Sequence, residues 1–349
     1  MHIPPDLFAV PLLLVFVGIE ALVRPDRFRR ADTLTNLSSG LLQLAFDVVG
    51  KGLFLAMYAL AYQARVMELT STVVGVVAAF FLIDLCFYVF HRTGHRVNLF
   101  WAVHSVHHQS EEMNFSVGLR VSMLKNLVAW PFYLPVALLG VPPVLFLVLE
   151  GINTLLQFPI HTRWVRSLGP LDYVLNTPAH HRVHHGCDPE YIDKNFGGVF
   201  IIWDRLLGTF EPEDQPVTFG LVSACTTWNP VRAQWLPFKR IIGLSRRSTT
   251  WGQALYAWIA PPEWLPGEPP KPIAAVRGRR KLISGRPDWG YRFGVVLLGG
   301  GIAASLLHLF WGGPIKYAGA LLTVMVLAVL GVVLDRAGAR RAEATDDAA

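Results

Sequence analysis

Of the 12 histidines in this chain, all but His2 and His308 fall into groups whose spacing suits metal binding. His91 and His95 form an HxxxH pair, and His104, His107 and His108 form HxxHH. His161 stands alone; His181, His184 and His185 repeat HxxHH, with His180 just before them. On a helix, residues three or four apart share a face, so each cluster can point its rings at one place. Imidazole suits Zn, Cu, Fe and Ni. A set this large exceeds the three or four protein ligands of a single zinc site, which makes two ions the economical reading. A lone HxxxH or a lone interfacial histidine is weak evidence; three clusters in one chain are not. His180 is out of phase with the last cluster and is expected behind the ligands or facing substrate.

Other polar residues fall in register with these rings. Asp84, Tyr88, His91 and His95 recur at helical spacing. An ionisable group in an apolar helix defaults to a functional role. Asp84 could accept the second ring N–H of a ligating histidine and fix its tautomer, or hydrogen-bond a neighbouring helix. A second stripe holds Glu150, Asn153 or Thr154, Gln157 and His161. His161 is a candidate ligand. Gln157 could bind an ion weakly, bind through water, or only hydrogen-bond. Glu150 sits about two turns deeper at ~1.5 Å per residue, too far for direct ligation. Asn195 is a further candidate to support the ligands from behind.

The elements that must carry these residues are apolar. The chain of 349 residues is 52% hydrophobic and 16% charged, against about 25% charged in average soluble domains. Mean hydropathy is +0.39. The apolar residues collect in long blocks, which predicts an all-α, polytopic membrane helical bundle of about seven spans. Spans are expected over residues 7–23, 41–62, 72–90, two within 121–160, 293–311 and 318–334. Gly140, Pro142 and Pro143 split the 121–160 stretch into a hairpin. The start lacks a basic n-region, so the first block reads as a retained span rather than a cleaved signal peptide.

Charge orients the bundle. The net charge of +6 comes from arginines beside apolar blocks, such as Arg24, Arg27, Arg29 and Arg30, and later Arg336, Arg340 and Arg341. Positive-inside counting puts those clusters, and all the grouped histidines, on the cytosolic side. The expected home is a bacterial inner membrane or the endoplasmic reticulum. No nucleic-acid module or aromatic-basic platform accompanies the basic residues, so no nucleic acid partner is expected. Cys86, Cys187 and Cys225 are scattered, without CxxC spacing, and predict no disulfide framework.

The domain organisation follows. Residues 1–90 supply N-terminal transmembrane helices. Residues 91–235 form a di-metal catalytic region that includes the hairpin and a cytosolic histidine-rich cap. Residues 236–287 read as a basic, Pro-rich cytosolic linker near anionic headgroups. Residues 288–335 form a last transmembrane hairpin and 336–349 a tail. Gly299, Gly300 and Gly301 suit close helix packing better than a phosphate loop.

The motif order HxxxH, HxxHH, a later single His and a second HxxHH resembles the fatty acid hydroxylase and sterol desaturase superfamily. The resemblance covers roughly residues 82–231 and includes FHRTGH at 90–95 and WAVHSVHHQSEEMNFS at 101–116. The segment 176–210, NTPAHHRVHHGCDPEYIDKNFGGVFIIWDRLLGTF, looks most like the alkylglycerol monooxygenase branch. The resemblance implies two iron ions that activate dioxygen to oxidise an unactivated C–H bond of a lipid. By motif position it assigns as ligands His91, His95, His104, His107, His108, His161, His181, His184 and His185, with Gln157 where other branches carry a further His. It also implies a separate electron donor, tetrahydrobiopterin in the alkylglycerol enzymes. No nicotinamide or flavin fingerprint and no fused haem domain is visible in the chain. Arg96 stands where that branch carries an acidic residue.

Three functions compete on the sequence alone. A lipid hydroxylase acting on a membrane lipid, possible ether lipids included, is the first. A sterol or acyl-lipid desaturase using the same centre is the second, since the fate of one hydrogen separates the two. A His-rich metal transporter is the third. It is disfavoured because a transporter carries its ligands near the bilayer midplane on broken helices, whereas these clusters follow the ends of spans.

Overall fold

A computed structural model describes residues 6–269 apart from 224 and 226. The expected spans after residue 288, the tail and residues 270–287 lie outside the described residues.

The chain starts with α1 (Asp6–Val23) and the long α2 (Arg30–Gln63), which bends by 50° between Asp47 and Val49. The helix expected over 72–90 runs on without interruption as α3 (Val73–Arg96), capped by the Thr72 side chain on the Gly75 N–H. That extension carries His91 and His95 on the same helix that would cross the membrane. α4 (Asn98–His108) follows after one extended residue, Val97, and carries His104, His107 and His108 in its last turns.

Where two spans are expected within 121–160, the chain forms two unequal limbs, neither long and unbroken enough to count as a span by itself. The first is broken into α5 (Lys125–Ala129), a 3-10 turn (Trp130–Tyr133) and α6 (Leu134–Leu138). Pro131 and Pro135 sit in its short turns, where a missing N–H interrupts the α-helical ladder. The second limb is the single helix α7 (Pro143–Gln157). Gly140 makes the turn at φ +85°, and a Cβ there would lie 1.9 Å from the Met67 carbonyl oxygen. Only glycine fits that backbone.

Residues 158–229 form a cap of turns with two short helices, α8 (Pro178–His184) and α9 (Ile202–Leu207). Its β content among the described residues is two isolated bridges, Leu175 with Phe200 and Gly186 with Phe219. The described chain is therefore all-α. The linker expected from residue 236 begins instead as helix: α10 (Pro230–Arg247) and α11 (Trp251–Ile259) pack on α4 and on each other. Asn229 caps α10 by accepting the N–H groups of Val231 and Arg232, and Pro230 takes the first helical position, where no N–H is needed.

The core of the helical part centres on Phe146 of α7, which stacks with Tyr58 of α2 at 4.3 Å. Tyr133, Phe54 and Ile83 complete it, so α2, α3, α7 and the broken limb share one apolar interior. Among the described residues, one helix, α3, is long and apolar enough to cross a membrane, and a second, α2, if its bent halves count as one span.

Candidate metal centre

The clusters predicted from spacing converge. His91, His95, His104, His108 and His184 form one group, and His107, His161, His181 and His185 a second; within each, one ring nitrogen per residue lies within 4.8 Å of all the others. All nine sequence-predicted rings are accounted for. The groups adjoin: His108 of the first stacks on His185 of the second, with ring centroids 4.5 Å apart. Seven of the nine are buried, while His104 and His107 are partly open.

The proton positions follow from the backbone. The Nδ1–H of His91 donates to the Phe196 carbonyl at 2.7 Å, that of His107 to Arg120 at 3.0 Å, that of His161 to Phe158 at 3.1 Å and that of His184 to Lys194 at 3.0 Å. A carbonyl can only accept, so in the neutral ring each Nε2 is left as a bare lone pair. These Nε2 atoms point inward. His107 Nε2 and His161 Nε2 face each other at 3.2 Å, and neither has a proton to share. A charged ring would supply one, but burial pulls both below the ordinary imidazole value, His161 to about 4. Burial, then the neighbouring imidazoles, also lowers His104, His108, His181, His184 and His185.

Two bare lone pairs facing each other, as in His107 and His161, repel; a cation between them makes the contact attractive. Nε2 atoms of His91 and His104, of His104 and His108, and of His107 and His185 are each 3.0 Å apart. Adjacent nitrogens at right angles around an ion with bonds of about 2.1 Å lie about 3.0 Å apart. The buried Nε2 atoms of His95 and His184 have no hydrogen-bond partner at all. The donor set therefore fits two imidazole-bound ions of the Zn, Cu, Fe, Ni type.

The supporting residues differ in part from the sequence expectation. Asp84 does not hold a histidine. One of its oxygens accepts from Val199 N and Asn153 Nδ2 at 2.7 and 2.8 Å, the other from Phe200 N and Trp203 Nε1 at 3.1 and 2.9 Å. It lies seven residues before His91 on α3, about 10 Å along the axis, and acts instead on the loop whose Phe196 carbonyl reaches that ring. Gln157 gives its amide N–H to Asn153 and so joins the Asp84 network. Of the two places expected for His180, behind the ligands or facing substrate, its contacts suit the first: its Nδ1 accepts from the Thr177 N–H in a capping box that starts α8, and its ring packs on Phe210. Asn195 bridges the His180 carbonyl and both backbone groups of Glu211.

Several functional positions left no mark in the sequence. Arg120 is 1% exposed; its guanidinium bonds the Val106 carbonyl, Asn36 and Gln109, with Asp32 at 3.6 Å, while its carbonyl holds His107. Glu20 of α1 accepts from the Phe115 N–H and from Thr162, the residue after His161. Arg182 grips Glu213 with two nitrogens and the carbonyls of Thr162 and Val165 with a third. These contacts tie α1, α8 and the turn after α7 together around His161 and His181.

On the helical side of the rings lies a cavity of about 670 Å³. Phe87, Phe90, Leu41, Leu44, Leu119 and Leu155 are among its apolar walls, and His91, His104, His107, His161 and His181 also line it.

Residues 76–209 match the family model described as fatty acid hydroxylase. The chain is similar to alkylglycerol monooxygenase of Xenopus tropicalis, 38% identical over 263 residues covering 72% of this chain and 57% of the relative. It is 43% identical to alkylglycerol monooxygenase of Danio rerio over 198 residues, 55% of this chain and 43% of that one. An ornithine lipid hydroxylase of Rhizobium tropici is 29% identical over 147 residues, 42% of this chain and 43% of the relative. The chain thus spans about half the length of the curated relatives it matches. No solved structure matches it.

Proposed function

We propose that the protein is a membrane-bound oxygenase that hydroxylates a C–H bond of a lipid with dioxygen, using two iron ions held by the nine converged histidines. The observation that carries this reading is the convergence of nine imidazoles in two groups, four of them with Nε2 bared by an Nδ1 hydrogen bond, beside a largely apolar cavity. One ion would take His91, His95, His104, His108 and His184, the other His107, His161, His181 and His185. When bound, such a pair supplies the activation of dioxygen that an unactivated C–H bond requires.

The chain's own residues supply geometry and dryness. Carbonyls of Phe196, Arg120, Phe158 and Lys194 hold the Nδ1 protons, so each Nε2 keeps its lone pair for an ion. The cavity walls, Phe87, Phe90 and Leu119 among them, exclude water and align an alkyl chain beside the rings, as orientation of a reacting C–H requires. An ether lipid is the preferred substrate class, following the alkylglycerol monooxygenase relatives. Electrons would come from a separate donor, with tetrahydrobiopterin the candidate on the same ground.

We place the protein in a bilayer. Leu22 of α1, Val73 of α3 and Val144 of α7 are 83%, 81% and 76% exposed and belong to outward-facing apolar rows. Such rows suit lipid better than water. With the apolar blocks as seven spans and the histidine motifs as a catalytic region over 91–235, the charge pattern supports a cytosolic site.

The test compares lipids with and without the protein, in air and without oxygen. A gain of about 16 mass units, one oxygen atom, on one lipid class is expected in air and absent in His107→Ala. Product formed without oxygen would refute the proposal. So would labelling of residues near Gly186 from the outer side only, for the orientation.

A further inference from the structure

One short loop stands behind the first histidine group and not behind the second. Lys194 and Phe196 give their carbonyls to His184 and His91. Asp193 brings Oδ1 to 3.5 Å from His95 Nδ1, while its Oδ2 faces Arg96 at 3.3 Å. His91, His95 and His184 all belong to the five-histidine group. In the four-histidine group, His107 and His161 take their carbonyls from Arg120 and Phe158, far from this loop in sequence.

The loop is held in a shape it would not choose. Asp193 and Asn195 have φ of +61° and +54°, the left-handed region, without being glycine. Such backbone persists where surrounding structure over-determines it, and it concentrates at ligand clamps. Here the surrounding structure is visible. The Asp204 carboxylate accepts the N–H groups of Phe196 and Gly197, each at 2.7 Å. Asn195 is pinned to Glu211 and to the His180 carbonyl.

We propose that residues 193–196 are a clamp for one ion only, the one bounded by His91, His95, His104, His108 and His184, with Asp193 as its positioning carboxylate. This rests on the two-ion reading above. Neither histidine group contains an acid, so Asp193 places a negative charge beside one ion and none beside the other. A carboxylate on the outer nitrogen orients an imidazole and makes it a stronger donor. The two ions are then held independently and are electronically unlike.

The experiment uses the full-length protein, wild type, Asp193→Ala and Asp193→Asn, loaded with ⁵⁷Fe and analysed for iron per chain and by Mössbauer spectroscopy. Wild type should hold about two irons, and Asp193→Ala about one, after a loss of about 10–100-fold in affinity at one site. Asp193→Asn keeps an acceptor without the charge; it should move one iron signal and leave the other in place, a change that loss of packing alone would not produce. His107→Ala should remove the opposite signal. Two irons with unchanged signals in both Asp193 variants would overturn the clamp, as would loss of both irons in parallel. Should Asp193→Ala fail to fold, Asp193→Asn decides the matter by its spectrum. Fewer than two irons in the wild type would instead refute the two-ion reading itself.

Discussion

Asp84→Asn separates the arrangement observed from the one its helical spacing suggests. Four donors converge on the carboxylate: Val199 N and Asn153 Nδ2 on one oxygen, Phe200 N and Trp203 Nε1 on the other. An asparagine has one oxygen. In either flip its NH₂ faces two of those donors, so two hydrogen bonds are lost and two become neutral. Bonds to a charged acceptor are worth about 1.5–3 kcal/mol each, which puts the loss at about 3–6 kcal/mol. That is a large share of the 5–15 kcal/mol that typically separates folded from unfolded chains. The damage should travel along the loop to Phe196, release His91 Nδ1, and weaken iron binding by about 10-fold or more. Were Asp84 simply the acceptor for one imidazole N–H, the asparagine oxygen would serve as well, at about 1 kcal/mol. Thermal unfolding in detergent and iron per chain, measured on the same preparations, distinguish the two. A variant that unfolds with the wild type and keeps its iron would refute the four-donor account.

Other perturbations probe neighbouring parts. Gly198→Ala would put a Cβ 2.6 Å from Asp84 Oδ1 and 2.8 Å from Phe87; overpacking of this kind costs about 1–3 kcal/mol and should lower the melting temperature together with the iron content. Arg120→Met leaves Asp32 buried without its cation and should cost about 3–5 kcal/mol, part of which Asp32→Asn in the same chain restores; an undiminished loss in the double variant would argue against the pair. Acid should destabilise the metal-free protein. His161 titrates at about 4 when folded, against 6.5 ordinarily, so between those values the unfolded chain binds more protons and stability falls as pH falls, by on the order of 3 kcal/mol for this ring alone. Denaturant midpoints at pH 7.5 and 4.5 check this, and stability that rises on acidification would contradict it.

The ligand set was readable because its members lie close along the chain: HxxxH and HxxHH state a shared helical face in the sequence itself. His161 was readable as the last polar residue of a stripe, although it sits in the turn beyond α7 rather than on the helix. What holds the rings was not readable. Backbone carbonyls of Phe196, Lys194, Arg120 and Phe158 leave no side-chain pattern, since any residue carries one. Of the two roles the spacing of Asp84 allows, the hydrogen bond to a neighbouring helix is the one found, to Asn153 of α7; its other donors, Val199, Phe200 and Trp203, lie more than 110 residues on and leave no local pattern. The start of the expected linker was misread from composition. Pro237 lies inside α10 and suggests a break, while Asn229 followed by Pro230 is a helix start that outweighs it.

The two faces of the centre have different owners. His91, His104, His107, His161 and His181 look into the cavity, whose other walls come mainly from α1, α2, α3, α5 and α7 and the residues around Leu119, with Gly197 from the cap. His95, His108, His184 and His185 do not line it. Behind those rings lies the cap, including the loop of Asp193 to Phe196 and the α8 turn. Substrate in the proposed reaction therefore enters from the apolar, helical side, between elements whose outer surfaces are themselves apolar. In that proposed reaction, an electron donor is expected to approach over the cap. There the exposed Arg96 and the half-buried Asp193 lie directly behind His95. A lipid-side substitution such as Leu155→Trp should therefore raise KM for lipid and leave the reduction rate alone. Arg96→Glu should do the reverse. Equal effects of both on one rate constant would mean that lipid and donor share a single path.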